Sequence, residues 1–142
     1  DRHSGQVSFP GGRYEPEDKS LASGAIREAQ EEVGINPSDI QLLGRLTELY
    51  IPVSNFLVHP FVGFVNHRPS FIPQESEVAE ILEVPLSHLL DPMNTRTTKI
   101  HLPQNVILSD VPYYHVAQKV VWGATAMMLS EFLEVVEAAR PN

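Results

Sequence analysis

The clearest hydrophobic pattern in the chain lies between residues 20 and 34. Apolar residues recur there three or four positions apart, which is the spacing of one face of an α-helix. Ser20 suits the N-cap position, and Gly34 suits the left-handed position that follows a helix. The sequence therefore predicts an amphipathic helix that begins after Ser20 and runs to about Val33. Its apolar face consists of Ala22, Ile26, Ala29 and Val33.

Segments rich in β-branched and aromatic residues predict strands in other parts of the chain. The predicted strands are residues 6–10, 40–46, 56–65, 78–84 and 113–121. Proline content and apolar spacing predict the remaining elements. These are a loop at residues 69–74, a short helical turn at 86–90, a loop or irregular hairpin at 91–110 and a long amphipathic helix at 122–139.

The composition is that of one globular domain spanning residues 1–142, with 42% hydrophobic and 20% charged residues. No apolar run approaches the roughly 20 residues that span a bilayer, so no membrane segment is expected. Cysteine is absent, which excludes disulfides, thiolate zinc sites and a cysteine nucleophile and fits a cytoplasmic protein. The chain begins at Asp1, and we expect the protein to have further residues before it.

The net charge narrows the range of partners. Ten basic and eighteen acidic residues give a net charge of −8, which argues against a protein that grips a nucleic-acid polymer. A small phosphate-bearing substrate would also be repelled unless a divalent cation neutralised the site. No two of the six histidines are three or four residues apart, so a zinc site is not expected. The oligomeric state cannot be predicted from these features.

Three glutamates define the polar side of the first predicted helix. Glu28, Glu31 and Glu32 stand at i, i+3 and i+4 and form what we call the carboxylate face. Like charges at this spacing destabilise an isolated helix by about 0.2–0.5 kcal/mol per pair. Arg27 can offset part of this by pairing with Glu31, and a hard cation such as Mg²⁺ or Mn²⁺ can offset more. The alternative is an ordinary solvated helix face.

The sequence around this face resembles the Nudix box. Residues 27–35 read Arg-Glu-Ala-Gln-Glu-Glu-Val-Gly-Ile, which matches the second half of the box at every defined position. In the first half, five residues after Gly12 lead to Asp18, which lies one residue too far from Arg27. The early acidic position of the box is therefore left between Glu17 and Asp18. The resemblance implies an α/β fold, a Nudix-type α/β/α sandwich with a mixed β-sheet, and hydrolysis of a P–O–P linkage.

The resemblance also implies roles for the residues of the carboxylate face. Glu28, Glu31 and Glu32 would be ligands of Mg²⁺ or Mn²⁺. Glu28 and Glu31 also belong to the catalytic group, and Arg27 would keep Glu31 ionised and oriented.

A further catalytic acid is expected from outside the box. Glu77, at the junction of a predicted loop and strand, is the candidate, and Glu75 is its substitute. Glu77 or a glutamate of the box would orient or deprotonate the attacking water. The alternative for Glu77 is an exposed glutamate at the start of a strand.

Two glycines and two arginines are candidates for binding the substrate. Gly11 and Gly12 let the backbone approach a ligand or metal closely, although a plain tight turn is the alternative. Arg2 is the first candidate for a basic residue near the nucleotide's phosphates, and Arg13 is the second.

A narrower resemblance is to the coenzyme A pyrophosphatase group of the Nudix superfamily. It is carried by Arg2, Gly5 and the Phe-Pro-Gly-Gly of residues 9–12, and by similar residues at 52–54, 60–63 and 122–126. It implies cleavage of coenzyme A or acyl-coenzyme A to 3′,5′-ADP and a phosphopantetheine. The alternatives are another nucleoside diphosphate derivative of the ADP-ribose or dinucleotide type, a nucleoside triphosphate, or a catalytically silent ligand-binding module.

Overall fold

The computed structural model describes residues 5–141, which divide into two compact units. Residues 9–82 form the first unit, and residues 5–8 together with 83–141 form the second. Within these residues three α-helices occur along with seven strands, and each described strand pair is antiparallel. The predicted α/β class is confirmed. The single domain over residues 1–142 stays a prediction.

The first helix of the first unit forms as its local signals predict. Helix α1 spans Leu21–Val33, and the Ser20 side chain caps it by accepting a hydrogen bond from the Ser23 N–H at 3.1 Å. Such a cap stabilises a helix by about 1 kcal/mol. Gly34 follows in the left-handed conformation, with φ 76°, and its N–H donates to the Gln30 carbonyl. Val33 is the buried member of the apolar face.

Two antiparallel strand pairs complete the first unit. A 3₁₀ turn at Pro37–Asp39 leads into strand β1, Gln41–Arg45, which pairs with β4, Phe61–Phe64. Between them β2, Leu49–Ile51, pairs with β3, Phe56–Val58. Strand β1 confirms the strand predicted at 40–46. Strand β2 was not predicted, because three residues are too few to show an alternation of apolar and polar positions.

The strand predicted at residues 56–65 is two strands. Strand β3 ends at Val58 and β4 begins at Phe61, so His59 and Pro60 separate them. Proline has no N–H to donate to a ladder. The Pro60 carbonyl instead accepts a hydrogen bond from the Leu46 N–H at 2.9 Å.

The strands predicted at 78–84 and 6–10 are wrong, because both segments are irregular. At the start of the first segment the N–H groups of Glu77 and Val78 both donate to the Gln74 carbonyl, which curls the backbone into a turn. In the second segment the Val7 carbonyl accepts from the Thr125 hydroxyl at 3.2 Å instead of joining a ladder. The loop predicted at 69–74 is confirmed.

The second unit is built on a three-stranded antiparallel sheet. Helix α2 spans Leu86–Leu90 and confirms the predicted turn. Residues 91–110 contain a hairpin, which was one of the two predicted alternatives, with a register shift between Thr98 and Ile100. The sheet strands are β5, Thr95–Leu102, β6, Val106–Val116, and β7, Lys119–Val121.

The last predicted strand and helix need one adjustment each. The strand predicted at 113–121 folds back between β6 and β7, because Ala117 and Gln118 take positive φ angles of 49° and 63° and form a tight turn. The final helix, α3, spans Gly123–Ala138, with Trp122 at its N-cap position. The buried apolar residues of this unit are Leu89, Val116, Val121, Leu129 and Leu133. Within residues 5–141, no helix has both the length and the apolar character needed to cross a membrane.

Candidate functional site

The candidate site is built on helix α1, within the first unit. The helical spacing places Glu28, Glu31 and Glu32 on one side, as predicted. Their exposure differs, however, since 14% of the Glu28 side chain is accessible and 49% of Glu31. Glu32 is half-buried. The carboxylate face is therefore packed against its own loop on one side and open to solvent on the other.

Arg27 is anchored by a buried aspartate. Its Nε donates to Asp18 Oδ1 at 2.9 Å and its Nη2 to Asp18 Oδ2 at 3.2 Å, a two-point contact. Asp18 is only 8% exposed and also accepts from the Glu15 N–H at 2.9 Å. The hydrogen bonds from Arg27 and Glu15 hold the pKa of Asp18 below its usual range, and Asp18 in turn raises the pKa of Arg27.

This contact distinguishes the two acids considered for the early acidic position of the box, and the assignment of that position stays a prediction. The sequence left that position between Glu17 and Asp18, because the spacing to Arg27 is one residue too long. Asp18 is the residue that reaches Arg27, and its N–H bonds the Glu15 carbonyl in a turn.

The same guanidinium contacts the carboxylate face. Nη1 of Arg27 lies 3.1 Å from Glu28 Oε1, 3.1 Å from Glu31 Oε2 and 3.6 Å from Glu15 Oε1. The predicted pairing of Arg27 with Glu31 is confirmed as a contact. Because Asp18 holds the guanidinium in place, Arg27 fixes the position of both glutamates.

The two glycines before the helix contact the other side of the same face. The Gly11 N–H donates to Glu32 Oε2 at 2.9 Å. A Cβ atom at Gly12 would lie 2.5 Å from Glu28 Oε1 and 2.8 Å from its Cδ, closer than real contacts allow. The predicted close approach of the backbone is therefore made to the glutamates themselves, and only glycine fits position 12 without moving Glu28.

The surroundings of Glu32 disfavour the charged form of its carboxylate. Burial of the Glu32 carboxylate raises its pKa, and the hydrogen bond from the Gly11 N–H partly opposes this rise. The negative charges of Glu28, Glu77 and Glu31 raise the pKa further. Glu77, predicted from outside the box, is thus close enough to act on Glu32, whereas Glu75 is not among the groups that shift it.

Glu77 reaches this position through contacts at the end of helix α1. The N–H groups of Ile72 and Gln74 donate to the carbonyls of Val33 and Glu32 at 3.0 and 2.9 Å. These are carbonyls of the last helical turn, which have no partner inside the helix. A Cβ at Gly34 would lie 3.0–3.2 Å from atoms of Ile72, so a glycine there also lets the segment pack closely.

The donor set fits a hard divalent cation in its chemistry. Every side chain of the carboxylate face offers oxygen, and the mutual repulsion that raises the pKa of Glu32 is what a cation would relieve. The ligand atoms do not converge on one point: within residues 5–141, no group of three or more acidic or histidine side chains is arranged to hold a metal ion. Glu28 and Glu31 are turned to Arg27, and Glu32 to Gly11.

The remaining candidates lie in different places. Arg2 is outside the described residues. Arg13 is exposed, its carbonyl accepts from Arg27 Nη2 at 3.2 Å, and its Cζ atom lies 5.1 Å from the centre of the Phe56 ring. Sequence reasoning missed Phe56, because no local signal links a strand residue to an arginine more than 40 positions earlier. A surface cavity of this unit contains none of the candidates and is lined by Ser38, Asp39, Ile40, Gln41, Phe64 and Asn66.

Comparison with known proteins gives a family match and several relatives. A family model described as NUDIX domain matches residues 1–103. The chain is 39% identical over 130 residues to a Pectobacterium atrosepticum protein named "Uncharacterized Nudix hydrolase NudL", across 92% of this chain and 66% of that protein. Proteins of the same name from Yersinia pestis and Yersinia pseudotuberculosis are 37% identical over 138 residues, across 95% of this chain and 66% of theirs.

This chain thus spans 66% of the length of these relatives. The match to the family model covers more than half of the chain, and it includes helix α1 with Arg27 and the carboxylate face. On this evidence the chain belongs to the NUDIX domain family.

Proposed function

We propose that this protein is a metal-dependent Nudix pyrophosphohydrolase. The observation that carries the proposal is the arrangement around Arg27: one guanidinium, fixed by buried Asp18, holds Glu28 and Glu31 beside Glu32. An ordinary solvated helix face needs neither a buried aspartate to hold its arginine nor a glycine at position 12, where a side chain would collide with Glu28. The pKa of Glu32 adds to this, since burial raises it and the negative charges of Glu28, Glu77 and Glu31 raise it further.

The proposed chemistry is attack of water on one phosphorus of a P–O–P bridge. Glu28, Glu31 and Glu32 would hold Mg²⁺ or Mn²⁺, which supplies charge neutralisation at the phosphate oxygens and a lowered pKa for bound water. Glu77 or a glutamate of the face accepts the proton of the attacking water. The bridging P–O bond breaks, and its oxygen leaves as part of the second phosphate. Arg27 contacts the Glu28 and Glu31 carboxylates and holds them in place.

The proposed substrate is coenzyme A or acyl-coenzyme A, cleaved to 3′,5′-ADP and a phosphopantetheine. The support for this choice is the sequence resemblance at Arg2, at Gly5 and at residues 9–12, 52–54, 60–63 and 122–126. The net charge of −8 favours a small substrate over a nucleic-acid polymer. ADP-ribose, dinucleotides and nucleoside triphosphates share the cleaved linkage and are the competing substrates.

A substrate panel with chromatography of the phosphate products tests the proposal. We expect Mg²⁺- or Mn²⁺-dependent release of 3′,5′-ADP from coenzyme A at a kcat/KM at least about 10-fold above that for the competing substrates. Preference for one of those substrates would overturn the choice of coenzyme A and keep the chemistry. Ligand binding without any metal-dependent turnover would favour a silent module.

The variant Glu32→Gln tests the metal site within the same assay. It keeps the shape of the side chain and removes its charge, so we expect turnover to fall by about 100-fold or more at saturating Mg²⁺. The matched control is Glu134→Gln, since Glu134 is an exposed glutamate on helix α3. Full turnover by Glu32→Gln would contradict the proposed site.

A further inference from the structure

Arg13 has charged surroundings unlike those of Arg27. Arg27 contacts the carboxylates of Asp18, Glu28, Glu31 and Glu15, whereas within residues 5–141 no carboxylate forms an ion pair with Arg13. A guanidinium without a carboxylate partner, on the same loop as the candidate site, is therefore available to an anionic ligand.

Arg13 has one contact through its backbone and one through its guanidinium. Its carbonyl accepts a hydrogen bond from Arg27 Nη2 at 3.2 Å, which ties its backbone to the site. Its guanidinium lies over the Phe56 ring, with 5.1 Å between Cζ and the ring centre. Phe56 is itself held in register with Ile51 by the β2–β3 pairing. A cation–π contact leaves the edge of the guanidinium, with its N–H donors, free for hydrogen bonds.

The Arg13 side chain extends toward Phe56 and not toward the carboxylates of helix α1. Gly12 lies directly against the Glu28 carboxylate, and the chain continues from there to Arg13. The Arg13 side chain then reaches Phe56, beyond ion-pair distance of Glu28 and Glu31. The Arg13 guanidinium is thus placed for an anion beside the carboxylate face.

We propose that Arg13, held over Phe56, binds a phosphate of the substrate that lies outside the cleaved P–O–P bridge. The inference rests on the proposed function, because it assumes that the bridge lies at the carboxylate face. In coenzyme A the matching group is the 3′-phosphate of the nucleotide half. The planar guanidinium can donate two parallel hydrogen bonds to such a group. Arg13 and Phe56 then select substrates carrying a second phosphate site.

Calorimetric binding of two nucleotides tests the inference without turnover. The ligands are 3′,5′-ADP and 5′-AMP, which share the 5′-phosphate and differ in the 3′-phosphate. We expect the wild-type protein to bind 3′,5′-ADP about 10-fold more tightly, a difference of about 1.4 kcal/mol. Arg13→Gln should bring the ratio of the two dissociation constants to about 1–2, and Phe56→Leu to an intermediate value. Arg45→Gln, at an exposed arginine of β1, should leave the ratio unchanged.

A structural role for Arg13 predicts a different result. Loss of folding or of loop order would weaken both nucleotides together and lower the melting temperature, whereas loss of a 3′-phosphate contact changes only the ratio. Equal affinity of the wild-type protein for the two nucleotides would overturn the inference. So would an unchanged ratio in Arg13→Gln.

A kinetic comparison distinguishes failure of the inference from failure of the proposed function. With coenzyme A and 3′-dephospho-coenzyme A as substrates, Arg13→Gln should raise KM about 10-fold for the first only and leave kcat within about 2-fold. Equal KM increases for both substrates would overturn the inference while the proposed hydrolase stands. If the wild-type protein cleaved neither compound, the substrate proposal would fail, and the nucleotide binding ratio would still decide the role of Arg13.

Discussion

Asp18 and Glu32 are carboxylates of one site with opposite surroundings. Asp18 is buried and accepts hydrogen bonds from Arg27 and the Glu15 N–H, so its pKa is lowered. Glu32 is half-buried and has one N–H donor at Gly11; its burial raises its pKa, and its acidic neighbours raise it further. The first carboxylate is neutralised by the fold. The second has one backbone donor and acidic neighbours, and it is where we place the proposed cation.

The largest expected effect is loss of the compensated carboxylate. Asp18→Asn replaces one acceptor oxygen by an amide that faces the donors of Arg27 and Glu15, so these groups lose a partner. We expect the melting temperature to fall by about 5 °C or more, measured by calorimetry. Turnover should fall as well, because Arg27 loses the anchor that fixes Glu28 and Glu31.

The control for this variant is Glu48→Gln, at an exposed glutamate outside the site. It removes the same charge from the protein and should shift the melting temperature by less than about 1 °C. Equal shifts in the two variants would show that net charge, and not the contact of Asp18 with Arg27, sets the stability.

Two glycine variants sharpen the comparison by adding one Cβ atom to each region. At Gly24 this atom would lie 2.9 Å from Asp18 Oδ2, and at Gly12 it would lie 2.5 Å from Glu28 Oε1. Alanine normally stabilises a helix interior relative to glycine by about 1 kcal/mol. We expect the opposite sign for Gly24→Ala, with a melting temperature about 2–5 °C lower. Gly12→Ala should instead reduce kcat/KM about 10-fold or more by displacing Glu28.

Gly44→Ala is the control for both glycine variants. A Cβ at Gly44, in strand β1, would meet no atom within 4 Å, and the residue does not have a positive φ. It should change neither quantity noticeably. A stabilising Gly24→Ala, or a fully active Gly12→Ala, would show that the neighbouring carboxylate moves aside without consequence.

The smallest expected effect is a pair of opposite pH dependences. The lowered pKa of Asp18 stabilises the fold above the usual aspartate range, and this contribution is lost as pH falls through the folded-state pKa. Because the pKa of Glu32 is raised, the folded state binds more protons than the unfolded state near that pKa. The contribution of Glu32 to the free energy of unfolding therefore decreases as pH rises through its folded-state pKa. At pH 7, Asp18→Asn should thus be less stable than wild type and Glu32→Gln slightly more stable.

Melting curves from pH 3 to pH 8 measure both differences. The difference in melting temperature between each variant and the wild-type protein should shrink as the pH falls. Added Mg²⁺ should stabilise the wild-type protein and so remove the higher melting temperature of Glu32→Gln. If Glu32→Gln were less stable than wild type at pH 7 without metal, the repulsion attributed to Glu32 would be wrong.

The local features of the site were predictable from the sequence. Helix α1, its Ser20 cap and its Gly34 end depend on neighbouring residues, and the carboxylate face follows from spacing alone. The contacts of Asp18, Glu77 and Phe56 depend on where distant backbone lies. Glu77 and Asp18 were candidates from the sequence, but their neighbours, and the role of Phe56, required the fold.

The wrong strand at 78–84 has the same origin. Its apolar alternation is real, but the Gln74 carbonyl takes the N–H of Val78 and the segment starts as a turn. The spacing of hydrophobic residues indicates which side chains can be buried together. It does not indicate which carbonyl accepts a hydrogen bond from a given N–H. The division at His59 and Pro60 shows the converse, since the apolar run continues across Pro60 in the sequence while the strand ends before it.

The docking of Ile72 and Gln74 onto the last turn of helix α1 has a consequence for how this region tolerates length changes. Surface loops usually accept insertions at small energetic expense. Here Glu77 lies three positions after Gln74, and its N–H donates to the Gln74 carbonyl. One glycine added between the two residues would move Glu77 away from Glu32 while the helix stayed intact. Variation in loop length should therefore be confined to residues on the far side of this anchor.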